Sequence, residues 1–287
     1  MTTWHSNHAP ARPSISAAGW VRVLVRGLCL GVLVFGGLAL LLLLRLIERP
    51  LFGIRRPITP WITQVVCRSA FRIMGMGFHH DGEKMVGPGA VVANHTSWLD
   101  IFALNARQRI YFVSKAEVAK WPGIGWLARA TGTVFIERNA RQAQQQTRIF
   151  QDRLMAGHKL LFFPEGTSTD GHQVLAFKTT LFAAFFAPEL REHMQIQPVS
   201  VVFTPPKGAD PRFYGWWGDM DFGSHFLQTL AGARQGAVTL RYHTPLRVAD
   251  FPDRKSLARA CEVAVRDGHR DLQGYDLKAR VGREDAV

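Results

Sequence analysis

Apolar and polar positions follow three different patterns along the chain. From Gly27 to Leu44, 18 consecutive residues carry no charge. As a helix that run is roughly 27 Å long, close to the hydrocarbon thickness of a bilayer. A second pattern, about 58 to 76, places Trp61, Ile62, Val65, Val66, Ala70, Phe71 and Met74 at helical spacing, with Arg68 and Arg72 between them. It predicts an amphipathic helix that lies on a membrane surface or packs on a soluble domain. The third pattern is alternation. Apolar, β-branched runs at 89–94, 109–115, 132–138, 159–164, 197–203 and 237–242 predict strands. Helix-like segments at 97–107, 116–130, 140–156 and 176–187 separate them, and a last helix fits 254–274. Strand and helix in alternation imply an α/β domain with a mixed, largely parallel sheet flanked by helices. The Gly- and aromatic-rich stretch 205–235 reads as a long surface excursion.

These patterns divide the chain into a disordered polar tail (1–19), a membrane anchor helix (20–47), a linker with the amphipathic interfacial helix (48–80) and the α/β domain (81–287). Trp20 stands near the start of the apolar run, where an interfacial aromatic would sit. The run is long for a cleaved signal peptide, and no A-x-A-like site follows it, so a retained anchor is expected. Arg22 and Arg26 precede it; Arg45, Arg49, Arg55 and Arg56 follow. The denser side orients the main domain to the cytoplasm, which predicts the inner (cytoplasmic) membrane as its location.

Charge narrows the partners. The formal net charge of +13 points to an anionic partner. The basic residues are dispersed and many flank the apolar run, so no groove-reading motif for nucleic acid emerges. Cys29, Cys67 and Cys261 form no CxxC pair and no disulfide framework. With no H-E-x-x-H and no Cys/His cluster, no metal site is expected. With no G-x-S-x-G, a serine hydrolase lacks its nucleophile elbow. A membrane-anchored protein that merely holds anionic headgroups would account for the charge and the anchor.

It would not account for "VVANHTSWLDIFAL", residues 91–104. There a strand ends at Asn94 and His95, and a helical pattern starts almost at once. Ligands in open α/β sheets bind at the C-terminal ends of strands. Residues five apart on one straight helix point about 140° apart. His95 and Asp100 therefore meet only if His95 lies on the turn and Asp100 in the first helical turn. Ser97 suits the N-cap, and Ser97-x-x-Asp100 is a capping-box spacing, so Asp100 could equally serve to cap the helix.

Four blocks decide between those readings. "NHTSWLD", "GTVFIER", "FPEGTS" and "IQPVSVVF" occur in that order over roughly residues 85–205. Together with the N-terminal apolar helix pair, they resemble the glycerolipid acyltransferase family with its H-x4-D hallmark, which makes phosphatidic acid from lysophosphatidic acid. The resemblance implies the fold of that family and acyl transfer from a thioester, acyl carrier protein or coenzyme A, to a lysolipid hydroxyl, without a cofactor. It makes His95 and Asp100 the catalytic pair. Neutral histidine suits a base whose pKa lies near working pH; a carboxylate on the other ring nitrogen fixes the tautomer. Arg138 would fork onto an acceptor phosphate or carboxylate, or else stand as a surface arginine beside Glu137. Glu165, Gly166, Thr167 and Ser168 would help form the acceptor site, with Gly166 allowing close backbone approach. Lys115, at the end of a predicted strand, would add positive charge nearby or stand as a solvated lysine. One position departs from the pattern: where enzymes acting on lysophosphatidic acid usually carry arginine after E-G-T, this chain has Ser168. That variant and "YGWWGDMDF" resemble the branch that acylates lyso-ornithine lipid, leaving lysophosphatidic acid as the alternative acceptor.

Overall fold

The computed structural model describes residues 4–6, 14–136 and 143–284. Helix α1 (Ala17–Phe52, 36 residues) starts at Ser16, whose Oγ accepts the Gly19 amide at 3.1 Å. The helix is long and apolar enough to cross a membrane, and only 11% of its most apolar window is buried. Leu24, Leu28, Val32, Leu43 and Leu46 all face outward.

Helix α2 (Thr59–Met74) folds back along α1. It buries Cys67, Ala70, Phe71 and Met74 toward α3 (Leu99–Arg107), yet leaves Trp61 and Val65 exposed. One face packs on the domain while the other continues the apolar surface of α1. Two devices close this hairpin. At Gly37 an added Cβ would stand 2.5 Å from Val66 Cγ2, so glycine lets the two helices approach. Near the other end, buried Glu48 caps α2 from α1. Its Oε1 accepts the amides of Ile58 (2.7 Å) and Thr59 (3.1 Å), and its Oε2 accepts from Thr59 Oγ1 (2.6 Å) and Arg45 (3.0 Å). These bonds satisfy amides that every helix start leaves without partners. Arg22 and Arg26, expected only as flanking charges, donate to the carbonyls of Leu230, Ala231 and Gly232 at the end of α7 (Phe222–Ala231). They tie α1 to the domain and place cations at a helix C-terminus, where the dipole favours them.

The domain holds β1 (Gly77–Asp81), β2 (Gly89–Ala93), β3 (Tyr111–Lys115), β4 (Val134–Ile136), β5 (Leu160–Phe162), β6 (Gln195–Thr204), β7 (Ala237–Tyr242) and β8 (Leu246–Arg247). They form one sheet, ordered β1-β7-β6-β2-β5-β3-β4, with β8 beside β6. Strands β2 to β6 run parallel; β7 and β8 pair antiparallel to β6. This is the expected mixed α/β sheet. β2 is wholly buried: Val91 and Ala93 face α2 and α3, while Ala90 and Val92 face the layer of α5 (Ala143–Met155) and α8 (Arg254–Glu284).

Several expectations change. Strands β1 and β8 carry no strong apolar pattern that would announce them. The segment 116–130 splits into a 3-10 turn (Ala116–Lys120) and α4 (Ile124–Thr131), because "WPGIG" interrupts it. The segment 176–187 holds a 3-10 turn (Leu181–Phe186) before the short α6 (Pro188–Arg191). Phe182 and Phe185 are driven into the core there, with Phe162 against both rings. The stretch 205–235 contains α7 and buries Tyr214, Trp217, His225 and Leu230, so it is part of the core rather than a surface excursion.

Candidate active site

β2 delivers the chain to the middle of the sheet, where it must stop pairing and turn. Asn94 manages that exit. Its side chain donates from Nδ2 to the Val201 carbonyl and accepts the Val201 amide on Oδ1, both at 2.8 Å. The buried amide thus copies one backbone rung to β6 and frees the next residue to leave the sheet. That residue is His95, at the C-terminal edge of parallel strands.

Every group around His95 holds it still. Its Nδ1 lies 2.7 Å from Asp100 Oδ2. Its ring stacks on Phe163, with centroids 4.0 Å apart and planes 10° from parallel. Its amide donates to Glu165 Oε1 at 2.7 Å, and its carbonyl accepts the Thr169 amide at 2.9 Å. The side chain is 20% exposed and that of Asp100 is fully buried. With Nδ1 donating to a carboxylate, the neutral ring carries its lone pair on Nε2.

Asp100 also settles the capping question. The same Oδ2 accepts the amides of Thr96 (2.8 Å) and Ser97 (3.0 Å). The first residue of the capping box is displaced, since Trp98 rather than Ser97 occupies the N-cap position. Holding the ring and closing the turn that leads into the helix are therefore one act of one oxygen.

Glu165 sits in a turn closed by the Gly166 amide on the Phe163 carbonyl at 3.0 Å. Gly166 has φ of 73°, so the backbone itself calls for glycine here. Glu165 is buried, and its Oε2 accepts the Leu175 amide at 2.7 Å. Burial pushes its carboxyl up to about 8; the bonds from Leu175 and His95 pull the other way, and the negative charge of Asp100 adds to the rise. Glu165 thus reaches the site through backbone, clamping the loop 165–175 onto the corner.

The remaining candidates are less tightly built. Thr167 and Ser168 are half-buried beside Glu165, and Thr167 Oγ1 accepts the Trp4 amide at 3.4 Å. Lys115 ends β3 at the same sheet edge with its side chain exposed. Arg138 lies outside the described residues. The Trp216 amide donates to the Thr96 carbonyl at 3.0 Å, and Trp98 packs edge-on to Phe102 and Phe222. The sequence offered "YGWWGDMDF" only as a mark of resemblance, not as an aromatic wall beside the histidine, and gave no role to Asn94 or Phe163. The adjacency of Asn94 to His95 and the run of aromatics in "YGWWGDMDF" were the available signals.

A protein-family model described as Acyltransferase matches residues 79–202. The chain is 58% identical to a lyso-ornithine lipid O-acyltransferase of Rhodobacter capsulatus, over 92% of this chain and 96% of that one. It is 37% identical to the enzyme of the same name from Brucella abortus, over 75% and 82% of the two chains. The crystal structure of the 1-acyl-sn-glycerophosphate (LPA) acyltransferase PlsC from Thermotoga maritima aligns with TM-score 0.61 at 21% identity, covering 89% of this chain and 96% of that one.

Proposed function

Because the chain belongs to the lysolipid acyltransferase family, we propose that it transfers a fatty acyl group from an acyl thioester to the hydroxyl of lyso-ornithine lipid, with His95 as general base. The observation that carries the mechanism is the 2.7 Å contact between His95 Nδ1 and Asp100 at the strand end. In this reading His95 Nε2 takes the proton of the acceptor hydroxyl as its oxygen attacks the thioester carbonyl. The new C–O bond forms and a tetrahedral oxyanion develops. The C–S bond then breaks, and the leaving thiolate takes the proton from the imidazolium. Ester and free thiol result, and no acyl-enzyme is required. Asp100 stabilises the transient imidazolium and holds the tautomer, a triad without its serine. General-base catalysis of this kind contributes about 10² to 10⁴-fold.

Two observations favour lyso-ornithine lipid. Relatives bearing that name match over most of their length, and Ser168 stands where a phosphate-binding arginine is expected. An acceptor with a free carboxylate and no phosphate has less need of that guanidinium. The donor is acyl carrier protein or coenzyme A thioester, both acidic partners for a chain of net charge +13. Apolar α1 with the outer face of α2 would seat the enzyme in the inner membrane, with the domain on the cytoplasmic side. The test is an acyl-transfer assay with the purified protein, offering lyso-ornithine lipid and lysophosphatidic acid with each donor in turn. Preference for lysophosphatidic acid would reverse the acceptor assignment, and full activity in His95→Ala would remove the base.

A further inference from the structure

Away from the catalytic corner, the far end of the helical hairpin meets the domain in an open groove of about 980 Å³. Five arginines line it: Arg45 and Arg49 from α1, Arg56 from the following linker, Arg129 from α4 and Arg153 from α5. Its other side is apolar, built of Leu42, Leu43, Leu46 and Ile54, all exposed. No carboxylate lines it among the described residues; Glu48, the partner of Arg45, is already engaged with the start of α2. The groove lies toward the N-terminal ends of β3 and β4, whereas His95 stands at the C-terminal end of its strand. Arg153 packs over Tyr111, the first residue of β3, and bonds the carbonyl of Gly132, ahead of β4, at 2.8 Å.

A structural role accounts for part of this cluster. Arg56 donates to the Ala130 carbonyl at 2.7 Å, so Arg56 and Arg153 cap the C-terminal end of α4. An eight-residue helix does not call for five guanidinium groups. Each guanidinium carries five N–H donors, and the carbonyl bonds consume only one or two. Arg49 makes no side-chain hydrogen bond or ion pair among the described residues, and it stands next to the leucines.

We propose that this groove binds the phosphate headgroup of an anionic membrane phospholipid, with the acyl chains running along Leu42, Leu43 and Leu46 onto the exposed face of α1. Charge complementarity selects an anion, and planar guanidinium forks match phosphate oxygens. The apolar wall continuous with α1 selects a lipid over a free ion. Even with Glu48 on Arg45, the crowded cations are already costly. Burial and then the neighbouring Arg56 push Arg153 down to about 10. Burial, followed by Arg153, pushes His158 down to about 3, so that neutral ring accepts from Arg153 Nε at 2.5 Å instead of adding charge. A bound phosphate would relieve that repulsion. This site is independent of the acyl-transfer reading and uses none of its residues.

The experiment is native mass spectrometry of the full chain in neutral detergent, titrated with dioleoyl-phosphatidylglycerol or dioleoyl-phosphatidylcholine. One phosphatidylglycerol should bind per chain, at least tenfold more tightly than phosphatidylcholine, and millimolar inorganic phosphate should not displace it. The double variant Arg49→Gln/Arg129→Gln, at two exposed positions, should bind it about thirtyfold more weakly, from roughly fivefold for each basic residue. The corresponding lysine pair should retain most of the affinity. His95→Ala should bind like the parent, which separates this groove from the acceptor site whether or not that residue proves catalytic. Equal affinity for the two lipids, displacement by inorganic phosphate, unchanged binding in the glutamine pair, or loss of binding in His95→Ala would each overturn the proposal.

Discussion

Replacing Asp100 by asparagine tests the proposed catalytic pair sharply, because the geometry dictates how the amide must sit. Oδ2 receives three donors: His95 Nδ1, the Thr96 amide and the Ser97 amide. Two of these are fixed backbone N–H groups, so the substituted side chain must keep its carbonyl oxygen there and put its NH2 where Oδ1 was. The His95 ring then still has an oxygen to donate to, and the tautomer survives. What is lost is the negative charge. A hydrogen bond to a charged group contributes roughly 1.5–3 kcal/mol, the largest share that charge can have supplied. If the imidazolium forms in the transition state, kcat falls by ~10- to ~150-fold. The displaced NH2 takes the place of Oδ1, which is buried and accepts no hydrogen bond among the described residues, and brings a polar group that must find an acceptor there. Folding stability should therefore fall by about 1–3 kcal/mol. The assay is kcat for purified protein in mixed micelles at saturating acceptor, with thermal unfolding in parallel and His95→Ala as reference. That reference should lose about 10² to 10⁴-fold. A kcat for Asp100→Asn equal to the parent would show that no charge develops on His95. Destabilisation with unchanged kcat would leave Asp100 a brace for the turn before α3 and nothing more.

Three further outcomes follow from particular residues. Glu165 has a folded pKa of about 8 against an ordinary 4.5, so its contribution to stability is present below 4.5 and is lost as pH rises toward 8. Unfolding temperature should decline over that range in the parent and flatten in Glu165→Gln, whose starting stability is lower because its NH2 opposes a backbone donor; parallel pH curves would contradict the assignment. Glu48→Ala strips the Ile58 and Thr59 amides of their acceptor and should cost about 3 kcal/mol or more, read as a lower unfolding temperature and faster proteolysis of the linker 53–58; an unchanged digestion rate would refute the clasp. Ser168→Arg should move the kcat/KM ratio toward lysophosphatidic acid by about tenfold, the scale of one charge-assisted bond, and an unchanged ratio would mean that position 168 does not touch the headgroup.

What the sequence revealed and what it concealed divide along one physical line. Hydrophobic spacing reports a segment's own burial, so β7 over 237–242 and α2 within 58–76 were legible from local pattern. β1 was not, because "GFHHD" is half solvated and owes its strand form to the register that pairs Gly77 with Ala237. The 3-10 turn at Leu181–Phe186 mimicked a helix because Phe182 and Phe185 recur three apart, a spacing both conformations share. The same line runs through the site. His95 and Asp100 stand five positions apart, so their meeting follows from one sharp turn that "NHTSWLD" announces. Asn94 bonds a residue 107 positions away, and Glu165 holds the His95 amide across 70. Neither bond leaves a periodic trace, yet both hold backbone around the histidine at the strand end. The residues proposed to carry the chemistry were visible because they are neighbours in the chain. Those that hold it rigid become visible only once the sheet brings β2, β5 and β6 together.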